Sequence, residues 1–302
     1  MTLSVVDRAK LACLGAGGVW GLFWIPLRAI GEAGVHSVWA TAVFFAVPAS
    51  MALPVFVINW RRIRRAGLPF QITIAVSGAA LTLYSTSIMF TDVVRALMLF
   101  YMMPVWSILL GYFVLGERIT VVRLIAITLA LAGMMIMFGL GLTFPIPQNY
   151  GDWMGLAAGG LWAVTMVRVR GHPEQSAGDM TAGFFLWGAV LAVAVALILG
   201  PRSLPSAAQV VSVLPMLALF MFFLAIPATF ASLWGPKFLN PGVAGLMFVP
   251  EVVIGAVSAA LLAGEAFGGR EATGITFIIA ASLLETVSAL AHKSQNENEL
   301  SL

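Results

Sequence analysis

Hydrophobic positions run along this chain in unbroken blocks of about 20 residues, and the polar positions collect in the short gaps between them. A block of that length is what a helix needs to cross a hydrocarbon core. Ten such windows are read: Leu11–Ile30, Val38–Ile58, Pro69–Phe90, Ala96–Leu115, Val121–Gly141, Trp153–Val169, Met180–Leu199, Val210–Leu233, Gly242–Ala263 and Ala272–Leu290. The expected fold is therefore all-α, a polytopic membrane protein. The first window is too long for the core of a signal peptide and has no small-residue cleavage site behind it, so it is read as a span.

The blocks repeat. Gly17-Gly18-Val19-Trp20 in the first window returns as Gly159-Gly160-Leu161-Trp162 in the sixth, and Gly116-Glu117 after the fourth returns as Gly264-Glu265 after the ninth. Two five-helix units follow, residues 1–150 and 151–302 with a short polar tail. Because five is odd, the second copy must enter the bilayer from the opposite side. An inverted repeat of this kind places a binding site near the midplane between halves that can rock, which is the architecture of secondary transporters.

Orientation comes from the basic residues. With the N-terminus cytoplasmic, Arg8, Lys10, Arg61, Arg62, Arg64, Arg65, Arg118, Arg123, Arg168, Arg170, Lys237 and Lys293 fall inside, and only Arg28, Arg95, Arg202 and Arg270 fall outside. This split of 12 against 4 predicts both termini inside. Composition agrees: 61% hydrophobic and 10% charged residues cannot cover a water-facing surface. The net charge of +3 is accounted for by the positive-inside pattern, which leaves nothing to suggest nucleic acid. Cys13 is the single cysteine, so no intrachain disulfide can form.

Walker A, HExxH, GxSxG and metal-spaced Cys/His patterns are absent, which argues against ATP drive and against an enzyme. His36, His172 and His292 all fall in gaps or the tail. Inside the windows an ionisable group costs roughly 2.5–3.5 kcal/mol at a helix centre and is a functional candidate. Glu251 is the clearest, near the middle of the ninth window and next to Pro250. It either faces the cavity, orienting a substrate amine or exchanging a proton, or makes a structural hydrogen bond to a neighbouring helix. Glu285 and Arg168, near span ends, are expected in structural ion pairs, and Arg28 is expected to snorkel outward.

Rings gather in the windows assigned to the repeat interface: Trp20, Trp24, Tyr84, Tyr101, Trp106, Trp162 and Phe248, with Met103 beside them. They would line a cavity suited to flat apolar or cationic ligands, or else pack against lipid and neighbouring helices. Trp39, Tyr150 and Trp153 are read as interfacial anchors. Gly17/Gly21 and Gly155/Gly159 form GxxxG pairs that allow close helix crossing, within the chain or between two copies. Pro104 and Pro250 are the hinge candidates.

At these residues the chain resembles the drug/metabolite transporter superfamily, in its ten-span, two-repeat (EamA-type) branch. The resemblance rests on Gly17–Trp20, on Met103-Pro104-Val105-Trp106 leading to Leu115-Gly116-Glu117-Arg118, on Gly159–Trp162 and on Leu262-Ala263-Gly264-Glu265. Counting back from Gly264, the position matching Pro104 is Val252, and the proline stands two residues earlier. The resemblance implies alternating access in the cytoplasmic (inner) membrane of a bacterium, with no bound cofactor. Within the superfamily the chain is most similar to bacterial exporters of aromatic amino acids. An exporter of multiple drugs or organic cations is the alternative, and a membrane scaffold without flux is the non-transport one.

Overall fold

The computed structural model describes residues 3–88, 90–91, 93–137, 146–201, 203–264, 267–281 and 283–284. Glu265, Glu285, His292 and the tail lie outside them. No strand occurs among the described residues. The helices are α1 (Val5–Trp20), α2 (Trp24–Glu32), α3 (Ser37–Ile58), α4 (Trp60–Arg65), α5 (Gly67–Ser87), α6 (Val93–Phe100), α7 (Met103–Leu115), α8 (Val121–Met137), α9 (Tyr150–Gly171), α10 (Ala177–Leu199), α11 (Ala207–Phe220), α12 (Ile226–Trp234), α13 (Pro241–Met247) and α14 (Pro250–Ala263). A further helix covers 269–281.

Among the described residues, six helical stretches are long and apolar enough to cross a membrane: Val5–Glu32, Val38–Ile58, Gly67–Ser87, Ala177–Leu199, Ala207–Lys237 and Pro241–Leu262. Met103–Leu115 and Val121–Met137 are apolar but shorter. α9 lies where the sixth span is expected. It carries Asp152, Arg168 and Arg170 at its two ends.

Three windows that read as single spans are broken in the middle, and each break precedes a proline. Pro26 lacks the N–H that would reach the Leu22 carbonyl, which is taken instead by Ile25 N at 3.1 Å, and the chain turns through Gly21–Phe23 between α1 and α2. Pro104 ends the pairing of the Phe100 carbonyl, so α6 and α7 part at Tyr101–Met102. Pro250 does the same for α13 and α14, where Val249 N falls back on Leu246 O at 3.2 Å. Both hinge candidates thus stand in the first turn of a half-helix. In the span of α11 and α12, a π-turn at Met221–Ala225 precedes Pro227. Pro48, Pro54 and Pro215 lie inside continuous helices.

Two crossings bring the breaks together. α1 lies on the α13/α14 break, close enough that a Cβ on Gly17 would stand 2.8 Å from Phe248 O and one on Gly21 2.6 Å from Glu251 O. α9 lies on the α6/α7 break in the same way, with Gly155 against Ala96 and Gly159 against the Phe100 carbonyl. The GxxxG pairs therefore serve contacts within the chain. Gly17 opposite Phe248 and Gly159 opposite Phe100 are matching contacts, since each phenylalanine stands 16 residues before the glycine that ends its broken helix. Those glycines, Gly116 and Gly264, adopt φ of +66° and +69°, a left-handed cap that other residues enter at a cost.

Candidate functional site

The α1/α2 break and the start of α14 border a cavity of about 700 Å³. Its walls come mainly from α1, α2, α5 and α14, and its mouth is rimmed by Arg28, Gly31, Val35, Phe267, Arg270 and Glu271. Below it lies a pocket of about 30 Å³, lined by Leu81, Phe100, Met103, Trp162, Phe184 and Phe248. Trp20, Phe23, Tyr84 and Glu251 border both spaces, so the carboxylate stands where the wide cavity meets the pocket. The small pocket has room for about one or two waters and for nothing larger.

Glu251 stands in the first turn of α14, one residue past Pro250. It is deep in the protein yet keeps part of its surface on the cavity. Tyr84 and Tyr101 lie close enough to feel its charge. The buried Tyr101 hydroxyl has no partner at hydrogen-bond distance, and the Ser85 hydroxyl on the cavity wall is likewise unpartnered. A buried hydroxyl left open in this way costs stability unless a ligand or water completes it.

The rings are held by one another. Tyr84 stacks on Phe100 with centroids 4.4 Å apart, and Phe23 leans on Tyr84 at 5.6 Å. Trp162 meets Phe248 edge-on at 6.3 Å and Phe184 at 6.4 Å. Trp20 Nε1 donates to Ser232 Oγ at 3.3 Å, and Trp24 Nε1 to Ser258 Oγ at 3.0 Å. Both indoles are satisfied without a ligand, so they offer apolar faces. That is what stacking or cation-π recognition requires.

Of the residues the sequence put forward, Trp20, Trp24, Tyr84, Met103, Trp162, Phe248 and Glu251 line the two spaces, and Tyr101 stands against Glu251. Trp106 does not join them. It falls with Leu109 and Phe113 on the exposed side of α7, opposite the buried stripe of Met103, Ser107 and Gly111. Phe23, Phe100, Ser85 and Phe184 belong to the site and were not anticipated. Phe23 and Phe100 sit at helix breaks whose position the apolar pattern conceals, and Phe184 lies on a span that nothing in the pattern assigned to the cavity. Other expectations are corrected too. Trp39 is buried, donating to Pro201 O at 3.2 Å, whereas Trp153 and Tyr150 are exposed as expected of anchors. Arg168 bonds Thr73 Oγ1 at 3.1 Å and Pro69 O at 2.6 Å rather than a carboxylate. Arg28 is exposed and pairs with Glu32 at 3.0 Å.

At the end remote from the mouth, the helices are tied by polar contacts. Arg170 Nη1 donates to Lys237 O at 2.7 Å, and Lys237 Nζ reaches Pro173 O at 3.2 Å and Gln175 O. Arg170 Nε lies 3.6 Å from Glu117 Oε1, while Glu117 Oε2 is buried without a partner. Burial lifts the Glu117 carboxyl above the ordinary range, although Arg170 and Arg123 pull it down. Arg62 clamps Asp179 through two bonds of 2.6 and 2.7 Å. The cavity is thus open at one end and closed at this basic end. Among the described residues, no cluster of His, Cys, Asp and Glu could hold a metal ion.

The model of the EamA-like transporter family matches residues 8–139, the segment from α1 through α8. A solved structure described as "Crystal structure of protein" aligns with a TM-score of 0.71 at 18% identity, covering 92% of this chain and 98% of that one, a likeness of fold alone. No curated protein matches the chain. The family match supports the drug/metabolite transporter superfamily, and with the apolar helices it supports a multi-pass membrane protein that moves small solutes.

Proposed function

We propose that the chain is a secondary transporter of a bacterial cytoplasmic membrane that exports amino acids, including aromatic ones, by alternating access between two inverted five-helix halves. The observation that carries this reading is the carboxylate of Glu251 at the junction of a wide, ring-walled cavity and a collapsed, ring-filled pocket. A substrate amine would meet Glu251 and the hydroxyls of Tyr101 and Ser85, while its apolar side chain lies against Trp20, Phe23, Trp24 and Tyr84. The pocket of Phe100, Trp162, Phe184 and Phe248 is then the closed part of the pathway. It would widen as the halves rock about the breaks at Pro104 and Pro250 and the basic, cytoplasmic end opens.

One observation favours the organic-cation reading as a second. Among the described lining residues the only cations are Arg28 and Arg270, both at the mouth and paired with Glu32 and Glu271, so a substrate carboxylate finds no positive partner beside Glu251. Flux into proteoliposomes separates the two. Labelled phenylalanine, tryptophan, alanine and a lipophilic monovalent cation are offered to the parent, to Glu251→Gln and to Trp20→Ala. The amino-acid reading expects flux of the amino acids, abolished or weakened at least about tenfold in Glu251→Gln, with Trp20→Ala harming tryptophan more than alanine because less apolar area is buried. Transport of the cation without any amino acid would replace it by the second reading. Parental flux and pH response in Glu251→Gln would leave the carboxylate a structural role.

A further inference from the structure

The short helix α4 stands apart from the transport site and carries four arginines in six residues. At 100° per residue, Arg61, Arg64 and Arg65 (positions i, i+3 and i+4) share one face. Ile63 lies opposite and is buried at 1% exposure. Arg62 points to the side, where its clamp on Asp179 is joined by Asn59 Nδ2 at 3.0 Å from the same carboxylate. The helix is therefore fixed by one apolar and one ionic anchor. Its three-arginine face is exposed, and among the described residues none of the three side chains makes an ion pair or hydrogen bond.

The surroundings of that face are apolar. Val57, Ile58 and Trp60 before it and Leu68 after it are all exposed, and Trp60 leans on Phe56 with centroids 5.9 Å apart. On the reading of α3 and α5 as membrane spans, these side chains meet acyl chains, and the guanidinium groups stand at the level of the headgroups. Three forks within about one helical turn match the phosphate oxygens of lipid headgroups, which Arg binds in bidentate fashion.

We propose that the Arg61, Arg64 and Arg65 face of α4, pinned by Ile63 and by the Arg62–Asp179 clamp, is a binding site for the phosphate of an anionic phospholipid. The attraction adds with each arginine near a charged surface and weakens with salt.

The test uses the full chain in detergent and native mass spectrometry, with phosphatidylglycerol and phosphatidylcholine as probes. The parent should retain phosphatidylglycerol in preference, and salt should erode the preference. The R61Q/R64Q/R65Q variant should lose the preference by about tenfold or more, while R61K/R64K/R65K keeps most of it. Equal retention of the two lipids by the parent would overturn the site, as would a folded triple Gln variant with the parental preference. Full displacement of the lipid by equimolar inorganic phosphate would assign the face to free anions instead. If the Gln variant fails to fold, the parental preference and its salt dependence decide. None of these readouts involves flux, so the lipid site and the transport reading can fail separately.

Discussion

Glu117 shows how a single side chain can bias the state of the whole site. One of its oxygens faces Arg170 at 3.6 Å, the other is buried without a partner, and burial lifts its proton affinity despite Arg170 and Arg123. An acid raised in the closed arrangement holds its proton more tightly there than when hydrated, so closure is favoured at low pH and weakened as pH rises through the raised value. The labelling rate of a cysteine placed at the basic end, divided by its thiolate fraction, should accordingly rise with pH in the parent. The dependence should flatten in Glu117→Gln, which keeps the shape without the charge. Faster labelling at low pH would reverse the sign and sink the argument. Glu251 was legible as an intramembrane carboxylate beside a proline. The open hydroxyls of Tyr101 and Ser85 were not legible as parts of the site, because α5 and the α6/α7 break come near Glu251 only in the packed fold.

Among the elements, the glycine-lined crossings are where a substitution should tell most. Adding a methyl at Gly21 drives it against Glu251 O at 2.6 Å and Gly255 N at 2.9 Å, and both are backbone atoms that cannot swing aside. Gly21→Ala is expected to cost about 1–3 kcal/mol, read as a lower unfolding temperature in detergent. Gly18→Ala, which meets nothing nearer than 3.9 Å, should leave that temperature unchanged. At the left-handed caps the penalty comes from the backbone instead, since a Cβ at Gly116 touches nothing within 4 Å yet must adopt φ of +66°. Gly116→Ala should cost about 1–2 kcal/mol. Equal stability of Gly21→Ala and Gly18→Ala would mean that α1 does not press on the broken α13/α14 pair. The GxxxG spacing announced close contact, but a pattern of small residues carries no address. Only the fold assigns Gly17 to Phe248 and Gly159 to Phe100.

For the whole molecule, the reciprocal crossings of α1 on α13/α14 and of α9 on α6/α7 are what two inverted copies would produce, and they lead to a topology that labelling can check. Cysteines introduced singly at Gln148 and Ser206 in a Cys13-free background should react with an impermeant reagent from outside the cell, and one at Gly67 should not. Labelling of Gln148 or Ser206 from the cytoplasm alone would remove the inverted relation, and with it the reason to place the site at the midplane. The same orientation puts the mouth of the cavity outside and the Arg62, Glu117, Arg170 and Lys237 contacts inside.

Helical class, the approximate limits of the apolar segments and the two paired motifs followed from the sequence, because burial in lipid demands long apolar runs with internally paired backbones, and that demand is local. The end-capping glycines and the prolines were visible for the same reason. Which residues meet was decided by the tertiary structure. The breaks at Gly21–Phe23, Tyr101–Met102 and Phe248–Val249 turn three uniform apolar runs into half-helices, and their facing determines that Phe23 and Phe100 enter the site while Trp106 faces outward. In a span that is apolar on every side, periodicity cannot say which face is the inner one. The choice is made by the neighbours against which each helix packs.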